Sequence, residues 1–435
     1  MAVKAAVFPS DWRRYLDPGT ELEVYRLTDP AYSSALPAYY NHAVARNRRF
    51  LLYSCDRTGA RQAFSMDLNN GQTRQLTQAE DLDGASLSLL PNNLSFCYFA
   101  GPRLCLANLA TLAERIVYTV PDAFERTAGM SLTPDGTAAL FVERQGSLHR
   151  IRMAPLSGGE AHTVVEASFE ISDPLMRPQH GQILYRQSDA ALWVVDAVGQ
   201  PARQLKLAPG RVGPANWSPN GASVLYLNFP ADRTQLNAVR EYSPDAGAGA
   251  DQLVAKTSQY VHFGFNRDTS VFVGASRNAA SPSVLIMLRI NGRELTICEH
   301  RASHPESVAP IFSPDAQSIF FQSDRDGKPA IYCVHVERLV ERIEEPGPVG
   351  YDESVISQQG RADDALLRCW VETWRRAGGE LERLRRTELE SMDAREAIRQ
   401  IFGVRSPAIP PPSPTSGLVE QQAWFARVRP VRRQP

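Results

Sequence analysis

The stretch PDGTAALF, from Pro134 to Phe141, decides the fold of this 435-residue chain because it recurs. Its counterparts read RNRRFLLY from Arg46, PNNLSFCY from Pro91, PQHGQILY from Pro178 and PNGASVLY from Pro219. Two more follow, NRDTSVFV from Asn266 and PDAQSIFF from Pro314. The copies start 41 to 48 residues apart. Each begins as a turn containing Pro, Asn, Asp or Gly, residues that suit tight turns, and runs into a short apolar strand rich in β-branched and aromatic side chains. Repeats of this period with several strands each are the signature of β-propeller blades. Seven copies predict seven blades.

Working outward, the last copy delineates one blade. Ser307–Phe312 is expected as its innermost strand, Ser318–Ser323 as the second, and Ala330–Val336 as the third after a turn at Asp324-Arg325-Asp326-Gly327. No fourth strand follows. Leu22–Thr28 (LEVYRLT) resembles the outer strand of the first repeat, TRQLT at Thr73–Thr77, so the N-terminal strand is expected to close the last blade. Closure removes the free sheet edges that invite aggregation. The propeller is therefore assigned to residues 13–340.

Beyond residue 350 the period becomes helical. An α-helical extension is expected over residues 352–403, with Trp370, Val371 and Trp374 on one face. A Pro-rich linker and basic amphipathic tail follow over 404–435. This extension would pack on the propeller or serve protein association.

The bulk composition is that of an ordinary globular protein: 43% hydrophobic, 22% charged, formal net charge −1. It gives no reason to expect a nucleic-acid or membrane partner. The start lacks the apolar run of a signal peptide, and six cysteines show neither CxxC pairs nor framework spacing. A cytoplasmic, reduced protein is expected.

In such a ring the innermost strands line a channel, so chemistry is sought just ahead of the repeated turns. His42 and His262 hold the same phase, four residues before Arg46 and Asn266. His262, His304 and Glu306 would supply imidazole and carboxylate ligands to a divalent cation such as Mn²⁺. His42, Arg211 and Arg301 would suit an acidic ligand or small anion at the channel mouth. Asp173, one residue before the same phase in blade four, would either face the channel or cap the turn ahead of Pro174.

Three stretches carry a family resemblance: Tyr15–Thr28 (YLDPGTELEVYRLT), Asn108–Asp122 (NLATLAERIVYTVPD) and Phe312–Val336. In them the chain resembles the oligogalacturonide lyases (oligogalacturonate lyases), cytoplasmic seven-bladed propellers related to TolB- and WD40-like repeats. The resemblance implies pectin-derived uronate oligosaccharides as ligands and β-elimination as the reaction. In that chemistry a metal stabilises the enolate-like transition state, a histidine removes the proton, and an arginine offsets developing charge. The family's blade-six metal histidine falls on His262, and its His-Pro-His motif on His304-Pro305-Glu306. Its glutamine ligand falls on Arg301, its general base on Pro214 and its arginine on Ala191. Base and arginine are both missing here. Three readings follow: a divergent metal-dependent lyase, an acidic-sugar-binding module without chemistry, and a non-catalytic protein-interaction scaffold.

Overall fold

The computed structural model describes residues 4–340, apart from Gln200, Arg233 and Ala248. The expected helical extension and basic tail lie outside these residues. The described chain consists of strands and two short 3₁₀ turns, Gly84–Ser86 and Pro305–Ser307, arranged as seven antiparallel sheets of four or five strands.

Each repeated motif places its turn between the first and second strands of a blade. In five motifs the third residue has a left-handed backbone: Arg48, Asn93, Gly136, Gly221 and Ala316. The two glycines also permit close approach. A Cβ on Gly136 would lie 2.5 Å from the Pro91 side chain, and one on Gly221 would lie 2.3 Å from the Pro178 carbonyl oxygen. Each of these turns therefore seats on the corresponding turn one blade earlier.

The eighth motif residue is buried in every blade: Tyr53, Tyr98, Phe141, Tyr185, Tyr226, Val273 and Phe321. Burying such a side chain stabilises the fold by roughly 1.5–3 kcal/mol. Blade six has the small Val273 there, and the ring of Tyr260 compensates by lying over Gly274, where a Cβ would come within 2.1 Å. Seven hydrophobic clusters result, each shared between two neighbouring blades, so the core is a set of wedges between sheets.

The ring closes as the sequence implied. Glu23–Arg26 pairs with Ala330–His335, with Val24 opposite Val334. Arg13–Leu16 then adds a fifth strand to the same blade. A second N-terminal strand, Val7–Phe8, extends blade one by pairing with Thr73–Gln75.

One strand expectation is corrected. The innermost strand of blade seven is only Ile311–Phe312, preceded by the 3₁₀ turn Pro305–Ser307. Pro305 and Pro310 have no N–H to donate to a ladder, and Ala309 sits at φ 41°.

The departure that matters most is in blade one. Ala35 pairs with Ser54, and the Ala43 carbonyl accepts the Leu52 N–H, so residues 36–42 stand opposite the single residue Tyr53. This long bulge leaves the blade and enters the channel.

Candidate functional site

The segment Leu36–His42 is held from almost every side of the ring. The Leu36 N–H donates to Gln322 Oε1 in blade seven at 3.0 Å. Asn41 Nδ2 donates to the carbonyls of Ala85 (3.1 Å) and Met130 (2.9 Å), in blades two and three. The Tyr39 hydroxyl donates to the Ala215 carbonyl at 2.9 Å and accepts the Ala215 N–H at 3.1 Å, in blade five. The Tyr40 hydroxyl bonds to Asp173 of blade four and fits only because Gly129 has no Cβ, which would sit 2.9 Å from it. The Tyr39 ring meets His262 of blade six edge-on, with centroids 5.0 Å apart.

On the turn side of this segment lies a cavity of about 540 Å³. Every blade contributes a turn residue to its rim, and Tyr39, Tyr40 and Asn41 form its floor. His42, Arg46 and Arg267 bring cationic or protonatable groups to its wall. Among the described residues that line it, none is acidic. His42 is exposed to this space. The surrounding protein, and secondarily the Arg46 charge, lower its pKa from the ordinary histidine value.

Beyond the floor the character changes. Leu175, Ala215 and Phe263 line the chamber, whereas Asp173, Pro214 and His262 do not, although each lies within two residues of a lining residue on the approach to the turn. His262 is buried, 7% exposed, with Nδ1 unpartnered. Burial first, and the Arg186 charge second, drive its pKa down to about 4, so its imidazole is neutral at physiological pH. Arg186 lies 3.6 Å from Asp173 and donates to the carbonyls of Gly213 and Val212. Asp173 is therefore an ion-pair and hydrogen-bond partner rather than a turn cap. Burial raises its pKa, opposed by Arg186 and Tyr40. Asp83 is neutralised in the same manner, accepting from Arg126 at 2.8 Å and from the Gly129 N–H at 2.8 Å.

The residues singled out from sequence do not converge. His304 and Glu306 are exposed on the 3₁₀ turn, while His262 is buried against Tyr39. Among the described residues no group of three or more His, Cys, Asp or Glu is placed to hold a metal ion. His262, His304 and Glu306 are therefore not gathered as one ligand set. His42 and His262 share a phase but not a compartment, because the bulge carries His42 to the turn side. Arg211 pairs with the exposed Asp189 at 3.2 Å, and Arg301 with Glu299 at 2.6 Å, both away from the chamber wall. Ala191 is buried. Pro214 lies in the irregular stretch of its strand, between Val212 and Ala215.

Sequence reading missed Tyr39, Tyr40, Arg46 and Arg267. The only available signal was surplus length in blade one, where Pro37 and the Tyr39-Tyr40 pair interrupt the approach to the turn.

No protein-family model matches the chain. Among curated proteins, the oligogalacturonide lyase of Pectobacterium atrosepticum is 24% identical over 386 residues, covering 77% of this chain and 98% of that protein. The oligogalacturonate lyase of Dickeya dadantii is 24% identical over 375 residues, covering 74% and 95%. Among solved structures, an oligogalacturonate lyase in complex with manganese aligns with a TM-score of 0.72 at 22% identity, covering 77% of this chain and 98% of that one. The Vibrio parahaemolyticus oligogalacturonate lyase aligns at 0.71 and 20% identity, covering 77% and 99%. Among the described residues no helix is long and apolar enough to cross a membrane. In sequence and in its seven-bladed fold, this chain is similar to the oligogalacturonide lyases over nearly their whole length.

Proposed function

We propose that this propeller binds an acidic sugar of the uronate class at the mouth of its channel and does not carry out β-elimination. The ligand class comes from the relatives, which are named for acting on oligogalacturonides. The absence of chemistry rests on one observation. Tyr39 bridges the two positions where the family's base and blade-six metal histidine would stand, with its hydroxyl on Ala215, next to Pro214, and its ring on His262. A proline cannot take a proton, and losing a general base alone costs about 10²–10⁴ in rate. The reading needs no Mn²⁺ or other divalent cation. Five buried free cysteines, Cys55, Cys97, Cys105, Cys298 and Cys333, suit a reduced, cytoplasmic setting.

The test is incubation with di- and trigalacturonate, with and without Mn²⁺, following the absorbance of the unsaturated product, alongside calorimetry with the same sugars. Heat of binding without product is expected. Turnover, or stoichiometric divalent metal in the purified protein, would overturn the reading.

A further inference from the structure

The chamber on the turn side has features that the rest of the channel lacks. It is large enough for a small ligand, since such sites typically span about 300–1,000 Å³. Its floor is a structured segment rather than open solvent. Its charge is one-sided: Arg267 belongs to blade six and His42 and Arg46 to blade one, which flank blade seven, whereas the half-buried Leu132 and Met176 lie across the ring in blades three and four. A channel with low-dielectric walls and one sign of charge concentrates the opposite sign. The Arg46 guanidinium and the His42 imidazole stand near enough to interact electrostatically.

We propose that this chamber is a binding site for a small organic anion, a carboxylate-bearing ring that sets its charge on His42 and Arg46 and its apolar face toward Leu132 and Met176. The site deepens the acidic-sugar reading by giving that ligand a place, on the opposite side of the Leu36–His42 segment from His262. It also couples binding to a proton. The surrounding protein, and secondarily the Arg46 charge, disfavour the protonated form of His42; a carboxylate arriving between His42 and Arg46 offsets that repulsion and favours the imidazolium.

Among the described lining residues the only other charged group is Arg267, itself engaged within the protein. Blade two presents Leu90, Pro91 and Asn93 to the chamber, and blade seven presents Ile311, Phe312, Ser313 and Pro314, none of them titratable. The floor adds Tyr39 and Tyr40, both with raised pKa values and so neutral. Arg48 and Asp315 in the adjoining turns pair with each other at 2.9 Å.

The experiment is calorimetry on the full chain at about pH 6, in two buffers of different ionisation enthalpy, with galacturonate, benzoate and neutral galactose as probes. The proposal expects binding of at least one acid, no binding of galactose, and proton uptake on binding. His42→Gln should retain binding and lose the proton uptake. Arg46→Ala should weaken binding about tenfold or more, with an unchanged thermal melt because the side chain is exposed.

Galacturonate binding that ignores both substitutions and takes up no proton would sink the chamber but leave the acidic-sugar reading standing. Benzoate binding alone, with the expected response to both substitutions, would keep the chamber and sink that reading. Binding lost in Arg211→Ala but not in Arg46→Ala would move the site to the other mouth. Silence with all three probes would overturn both.

Discussion

The two sides of the Leu36–His42 segment contrast sharply, although both are built from the same seven strands. On the His262 side, charges are paired off: Asp173 with Arg186, Asp83 with Arg126, Arg211 with Asp189 and Arg301 with Glu299. On the turn side, cationic groups line a cavity with no acidic lining residue among those described. An ion pair has already met its electrostatic need internally, so it offers little to a ligand. His42 and Arg46, by contrast, face the cavity with no acidic lining residue beside them among those described. The comparison teaches that in this ring Asp173 and Arg186 are engaged with each other, whereas His42 and Arg46 face an open cavity.

The largest expected effect tests whether Tyr39 holds that division. Tyr39→Ala removes the ring from His262 and both hydrogen bonds to Ala215. It should cost about 3 kcal/mol in urea unfolding, the low end for deleting a large aromatic, because Tyr39 is only partly buried. A cost well under 1 kcal/mol would mean that the segment is not anchored as described.

Next comes acid sensitivity on the His262 side. Unfolded histidine gains a proton as pH falls through about 6.5, whereas folded His262 resists until about 4. The unfolded state therefore binds more protons across that window, and stability is lost as pH falls through it. The contribution should be about 3 kcal/mol at most. His262→Phe should flatten the difference between stability curves at neutral and mildly acid pH. An identical slope in the two proteins would show that the imidazole is not kept neutral by burial.

The smallest effect concerns the paired charges. Arg186 keeps its bonds to Gly213 and Val212 without Asp173, and an amide can still accept from Tyr40. Asp173→Asn should therefore change stability by about 1 kcal/mol or less and leave anion binding untouched. A large loss of binding would place the ligand on the wrong side of the segment.

The fold was legible because each repeat carries its own turn chemistry and its own buried eighth residue. Pro134-Asp135-Gly136 specifies a turn, and Phe141 specifies what fills the wedge behind it. Strand closure was legible for the same reason, since Leu22–Thr28 repeats an outer-strand pattern. The site was legible only in part. His42 and His262 share a phase, but phase predicts direction only while the ladder is unbroken. The bulge breaks it, and nothing local in Ala35-Leu36-Pro37-Ala38-Tyr39-Tyr40 says that the chain will cross a channel. Its partners, Ala85, Met130 and Ala215, lie 44 to 176 residues away. His304 and Glu306 sit exposed at the 3₁₀ turn whereas His262 is buried, a difference in burial that the sequence pattern does not carry.

The central claim is that the segment bars the lyase-like side and leaves the turn side for the ligand. A crystal structure of the protein soaked with digalacturonate tests it most directly. The account predicts a carboxylate against His42 and Arg46, with Tyr39 still bonded to Ala215. A sugar beside His262, with Tyr39 swung away, would contradict it.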